Sequence, residues 1–351
     1  MKIKLTKSSM VGDNESPYLI AELGSNHNGD MELARKLIYA AKEAGADCVK
    51  FQSWSKDSIF SKKVYKDNYF LADDYRDRDD YTLEQIVDKY SISEHELLDM
   101  KQYADEIGID FTSTAVSKAE VDFLVDKLNA EFIKVASMDL NNYPFLEYIA
   151  SKGKPIVLST GLSTLSEIDM AIQAIESKGN DQIVILHCVA IYPPEDKQVN
   201  LRNIDTLAQA YPYPIGFSDH TMGTCVPIAA VAKGACIIEK HFTLDKRMEG
   251  WDHKISADFN EMKVISHDSK RVYEALGSAR IVRAESEEML GAFRRSIVAA
   301  REIMKDEVIT EDMLDFKRPG TGMAPDNVRH IVGKTAKRNI AYDEMILSDD
   351  I

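Results

Sequence analysis

Eight apolar runs, each followed by a stretch of helical period, set the strongest limit on what this 351-residue chain can fold into. The runs occupy residues 18–23, 47–51, 109–113, 132–136, 155–159, 183–188, 215–218 and 235–240. The helical stretches follow at 30–43, 93–106, 118–128, 143–151, 165–176, 201–210, 225–233 and 260–276. Runs without polar alternation suit parallel strands buried on both faces, because a sheet with one wet face would alternate. Eight such units predict an α/β fold, a (β/α)8 TIM barrel. A solenoid would need a more regular period. Thr164-Leu165-Ser166-Glu167 adds a capping box that starts the fifth helix.

A barrel takes about 250 residues, so a second small domain is expected at one end. The texture changes at 279–295, which is charged, and short β-like pieces follow with turn signals such as Arg318-Pro319-Gly320-Thr321-Gly322. The expected division is a barrel over 1–279, a linker over 280–294 and a small β-rich domain over 295–351. Residues 54–90 form a long polar and aromatic insertion after the second strand, and such insertions at the active face are usually lids or interface loops. Its tract 73–80 reads as solvated surface without chemistry.

The net charge of −15 and the lack of basic clusters interleaved with aromatics argue against a nucleic-acid partner. Cys48, Cys188, Cys225 and Cys236 lie singly, without the spacing of a zinc knuckle or a disulfide framework, and read as reduced core residues. The amino terminus has no signal-peptide core, and the longest apolar stretch, 225–238, is interrupted by Lys233 and too short to span a bilayer. A cytoplasmic protein without a membrane anchor is expected.

His220 and His241 each close an apolar run of consecutive units. Either alone is better taken as a capping or core histidine. As a matched pair at the carboxyl ends of adjacent barrel strands, they are placed to share a divalent metal. The other strand ends are also polar: Glu22, then Lys50 and Gln52, Thr114, Lys134 and Ser137, Ser159, His187 with Tyr192, Ser218, and Lys240. A lone Ser or Thr there is readily satisfied by backbone, but eight polar ends in succession are not. Lysines among hydroxyl and amide donors suit a phosphate and a carboxylate bound together. Two histidines with Glu22 suit an open metal site that polarises a carbonyl. Lys134 has a rival role as a Schiff-base lysine.

These residues resemble the sialic acid synthase family, whose members include N-acetylneuraminate, legionaminic and pseudaminic acid synthases. The resemblance rests on Ala21-Glu22-Leu23-Gly24-Ser25-Asn26-His27-Asn28-Gly29, Val49-Lys50-Phe51-Gln52, Ile133-Lys134-Val135-Ala136-Ser137, Leu158-Ser159-Thr160-Gly161, Ser218-Asp219-His220-Thr221 and Glu239-Lys240-His241-Phe242. The carboxyl end is similar to the family's antifreeze-like (SAF) domain through Arg294-Arg295-Ser296 and Lys317 to Gly322. The resemblance implies condensation of phosphoenolpyruvate with an open-chain mannosamine-type aldehyde, giving a nine-carbon 3-deoxy-2-keto acid and phosphate. It implies that His220 and His241 hold the metal, manganese with magnesium or cobalt as substitutes. Lys50, Thr114, Lys134, Ser137, Ser159 and Ser218 would bind phosphoenolpyruvate, Gln52 and Asp252 the sugar, and Glu22 would act at the reacting centre, with Tyr192 a further substrate-binding residue. Arg318 would reach the sugar from the partner's small domain in a domain-swapped homodimer.

Two departures fall where the sugar is read. His187-Cys188-Val189-Ala190-Ile191-Tyr192 lacks the family's asparagine, and Trp251 stands where proline is common before Asp252. They favour an acceptor lacking one hydroxyl, as in the 6-deoxy precursors of legionaminic and pseudaminic acids. The alternatives are a 3-deoxy-octulosonate-type synthase acting on a sugar phosphate, and a noncatalytic carbohydrate-binding protein.

Overall fold

The computed structural model describes residues 1–67 and 82–351, so the tract 73–80 lies outside the described residues. It divides into two compact units, Met1–Gly277 and Ser278–Ile351.

The first unit opens with a hairpin, β1 (Lys2–Lys4) and β2 (Met10–Gly12), paired antiparallel. Eight parallel strands then close on themselves: β3 (Tyr18–Gly24), β4 (Cys48–Gln52), β5 (Asp110–Thr114), β6 (Ile133–Val135), β7 (Ile156–Ser159), β8 (Ile183–Cys188), β9 (Ile215–Asp219) and β10 (Ile237–His241). Each strand pairs with the next, and β10 returns to β3 with His241 opposite Glu22. The fold is an eight-stranded parallel (β/α)8 barrel.

Nearly every strand residue is buried, as a sheet covered on both faces requires. The helices show why the sequence places them there. Met31–Glu43 starts at Asp30, whose side chain accepts from the amides of Glu32 and Leu33, and it buries Ala34, Leu37, Ile38 and Ala41 against the strands. Leu165–Glu176 carries the capping box between Thr164 and Glu167 and buries Ile168, Ala171, Ile172 and Ile175. Lys118–Asp122 continues into a π-helical turn, Phe123–Lys127.

Inside the barrel the lower layers are apolar. Tyr18, Ile20, Cys48, Phe132, Val157, Val184, Leu186 and Ile237 join Ile3, Leu5 and Val11 of the opening segment in one cluster. The hairpin therefore plugs the amino-terminal end. Each of these large side chains contributes roughly 1.5–3 kcal/mol by leaving water, so the floor is rigid beneath the polar layer above it. The hairpin has no periodic pattern in the sequence; it is stabilised by this tertiary contact.

Among the described residues of the insertion are three short helices, Lys56–Ile59, Lys62–Asp67 and Leu83–Tyr90. Thr82 caps the last of them, which turns Leu83, Ile86, Val87 and Tyr90 inward around Trp54. The four cysteines are unpaired, and Cys225 is exposed, unlike the core position expected of it. Among the described residues no helix is long and apolar enough to cross a membrane.

The second unit contains the helix Glu287–Phe293 and the antiparallel pair β11 (Ser296–Ala299) and β12 (Leu314–Lys317). Its own core is Ile297, Ile303, Ile309, Met313, Ile331, Ile340 and Ile346.

Candidate active site

Above the apolar floor each of the eight strands sends one side chain into a common layer: Glu22, Lys50, Thr114, Lys134, Ser159, Cys188, Ser218 and Glu239 in turn. All eight line one cavity of about 480 Å³ at the carboxyl ends of the strands. Such a layer arises because alternate residues of every strand point inward. Gln52, Ser137, Tyr192, His220, His241 and Asp252 line the same cavity. Twelve of the thirteen residues to which the resemblance gives a role thus meet in one place. The thirteenth, Arg318, belongs to the second unit, where its guanidinium stands 5.4 Å from the ring centre of Phe293.

Two lysines and two glutamates form the centre. Lys50 pairs with Glu22 and lies 3.7 Å from Glu239, and Lys134 lies 3.6 Å from the other oxygen of Glu239. Lys50 Nζ also donates to Thr114 Oγ1 at 2.9 Å, and Lys134 Nζ to Ser159 Oγ at 2.7 Å. Ser218 Oγ donates to Glu239 at 2.8 Å. Burial alone would raise the Glu239 carboxyl, but Lys134, Lys50 and the Ser218 hydroxyl outweigh it and hold the group at about 2. Glu22 moves the other way: burial and the neighbouring Glu239 raise it above the usual carboxylate range despite Lys50. Burial likewise lowers Lys134. The two carboxyls are thus pushed in opposite directions, the kind of separation that acid–base chemistry uses.

Local backbone features aim these groups. The pairing of β3 with β4 slips between Glu22 and Gly24. Gly24 turns there at φ +39°, and a Cβ on it would sit 2.7 Å from Glu22 Oε1. Gly161 donates its amide to Ser137 Oγ at 3.0 Å, and a Cβ would stand 2.7 Å from that oxygen. The Gly161 loop and the turn Ser137–Asp139 thereby close the flank beside Lys134.

His220 and His241 are buried with ring centres 5.5 Å apart, and the Tyr192 ring packs 4.1 Å from that of His220. His220 Nδ1 lies 2.9 Å from Val189 O, which orients its other nitrogen. His241 Nδ1 is buried without a hydrogen-bond partner, and burial lowers this imidazole to about 4, so it stays neutral. His220, oriented by Val189, beside a neutral His241 with an unsatisfied nitrogen fits a divalent ion. Burial lowers the His220 imidazole, but Cys188 and Val189 outweigh it and raise the group, so an ion there would displace a proton. Among the described residues no group of three or more His, Cys, Asp or Glu is gathered as a metal site. An ion held by this pair would need further ligands.

Two strand-end residues stand elsewhere. Lys240 turns out of the barrel and is buried in an ion pair with Asp219 at 2.6 Å, also donating to Thr221 O. Glu239, its neighbour, holds the inward place. His187 lines a neighbouring cavity of about 520 Å³ and lies 2.6 Å from Val199 O, while Cys188 borders both that cavity and the site. Glu239 and Cys188 were passed over in the sequence because only the face they occupy distinguishes them from their neighbours.

The NeuB family model matches residues 37–281 and the SAF domain model residues 294–351. The N,N'-diacetyllegionaminic acid synthase of Legionella pneumophila is 38% identical over 97% of this chain and 96% of its own. The N-acetylneuraminate-9-phosphate synthase of Homo sapiens is 33% identical over 99% and 96%. Among solved structures, the N-acetylneuraminic acid synthetase of Leptospira borgpetersenii in complex with citrate superposes with a TM-score of 0.73 at 31% identity. That match covers 82% of this chain and 94% of the other.

Proposed function

This chain belongs to the NeuB family, and on that premise we propose that it condenses phosphoenolpyruvate with the open-chain aldehyde of an N-acetylmannosamine-type sugar. The products are a nine-carbon 3-deoxy-2-keto acid and phosphate. The observation that carries the proposal is the buried group in which two lysines share two glutamates. Without substrate the carboxylates neutralise the ammonium groups. An anion of higher charge can take their place, and Glu22, whose carboxyl is already raised, can accept a proton to accommodate it.

In this scheme Lys134, Ser159 and Ser137 hold the phosphate, and Lys50 with Thr114 and Ser218 the carboxylate. Gln52, Tyr192 and Asp252 orient the sugar. His220 and His241 would hold the divalent ion, manganese with magnesium or cobalt as substitutes, which when bound supplies Lewis acidity toward the aldehyde. C3 of phosphoenolpyruvate forms the new bond to the aldehyde carbon, whose oxygen takes up a proton. Water adds at C2 and the bond to phosphate breaks there. Glu22 handles a proton at the aldehyde oxygen or at the water. We place the protein in the cytoplasm as a domain-swapped homodimer, in which Arg318 of one subunit meets the sugar bound by the other.

Phosphate release from phosphoenolpyruvate in the presence of manganese and mannosamine-type aldehydes tests this. Release that depends on the acceptor is expected. No acceptor-dependent release with any of them would refute the proposal and favour a noncatalytic carbohydrate-binding role. Borohydride should not attach substrate to Lys134; covalent labelling there would establish the imine route instead.

A further inference from the structure

One flank of the cavity differs from the rest. Beyond Gln52 and Asp252 its lining is Trp54, Ile59, Phe60, Val87, Val116 and Trp251, six apolar side chains from the insertion and from the loops after β5 and β10. Trp54 and Trp251 meet edge to face with ring centres 6.1 Å apart. This wall is tied to the reacting centre. Trp54 Nε1 donates to Gln52 Oε1 at 2.6 Å, and Gln52 Nε2 donates to Glu22 Oε1 at 2.8 Å. The amide thus cannot rotate without breaking both bonds, and whatever rests on Trp54 lies two hydrogen bonds from Glu22. The polar groups nearest the wall are Gln52, Ser25 and Asp252, with Ser25 Oγ donating to Asp252 at 3.1 Å. Among the described residues the charge on this flank is the Asp252 carboxylate.

We propose that the Trp54–Trp251 wall is a methyl-binding subsite of the acceptor sugar, and that Trp251 sets acceptor specificity. The proposal rests on the condensation put forward above. An apolar wall next to a few fixed polar groups recognises a methyl by burying it and rejects a hydroxymethyl by leaving its hydroxyl without a partner. The methyl comes either from a deoxygenated terminal carbon or from an additional N-acetyl group. Both offer the same surface to the two indoles.

The test measures kcat/KM for phosphate release with manganese and four acceptors: N-acetylmannosamine, its 6-deoxy analogue, its 4-acetamido analogue, and the analogue with both changes. The unaltered protein should favour at least one acceptor that carries the additional methyl by about tenfold or more over N-acetylmannosamine, the discrimination one methyl commands in an apolar pocket. The 6-deoxy and 4-acetamido arms show which methyl is bound. Trp251→Ala should lower kcat/KM on the favoured acceptor by about tenfold more than on N-acetylmannosamine, and so remove that preference. Trp251→Leu, which keeps an apolar side chain should the alanine variant fold poorly, should retain part of it. A protein that prefers N-acetylmannosamine, or variants that lose activity equally on all four acceptors, would overturn the subsite while leaving the condensation intact. Absence of release with every acceptor would overturn the condensation and the subsite with it.

Discussion

Acidification from pH 7 to pH 5 should destabilise the barrel through two buried histidines that the chemistry does not use. His27 is fully buried beside Phe51, and its Nδ1 accepts the Gly29 amide at 3.1 Å. His253 is also fully buried, with Nδ1 2.7 Å from Thr243 Oγ1 and Nε2 3.2 Å from Asn28 Oδ1. Burial lowers each from 6.5 to about 4. A second proton on His27 would also place an N–H against the Gly29 amide. Between pH 6.5 and 4 the unfolded chain therefore binds more protons than the folded one. The stability these neutral rings allow is fully present above pH 6.5 and is lost as the pH falls toward 4. Each histidine costs about 2 kcal/mol between pH 7 and pH 5, about 4 kcal/mol for the pair. The assay is urea unfolding in EDTA, which keeps any metal from masking the effect. It is followed by tryptophan fluorescence, and both tryptophans, Trp54 and Trp251, lie in the barrel unit. His27→Gln keeps an acceptor for Gly29 but cannot titrate, so its loss between the two pH values should be smaller by about 2 kcal/mol. Other groups cancel in that difference, including Glu22, whose raised carboxyl works in the opposite direction. An unchanged pH dependence in the glutamine variant would refute the assignment.

Lys240→Met should cost about 3–5 kcal/mol of stability, because it leaves Asp219 buried without its cation. Asp219 also caps the Thr221 amide at 2.9 Å beside His220, so manganese affinity measured by titration calorimetry should fall as well; unchanged stability would show that the pair contributes nothing. His241→Ala should abolish turnover and weaken manganese binding while circular dichroism shows the fold retained; undiminished turnover in manganese would remove it from the metal site. Arg318→Ala and His241→Ala chains, each inactive alone, should recover one working site per heterodimer after subunit exchange. A mixture that stays inactive despite demonstrated exchange would confine Arg318 to its own subunit.

Much of this protein is determined by local sequence. Uninterrupted apolar runs such as Ile183–Cys188 specify buried parallel strands, and caps such as Thr164 and Asp30 start the helices that cover them. The polar end of each run announces where the site lies, because a buried strand tolerates such residues only where they meet one another or a ligand. The face each residue takes is a different matter. In Ile237-Ile238-Glu239-Lys240-His241 both faces are buried, so no alternation marks the inward one. A shift of one residue exchanges Glu239 with Lys240, or Cys188 with His187. Closure of the barrel decides it, since β10 must pair with β9 and β3 at once and only one register puts His241 opposite Glu22. The apolar wall is tertiary for the same reason. Trp54, Val87 and Trp251 lie in segments without a common period, and only the folded insertion brings them together beside Gln52.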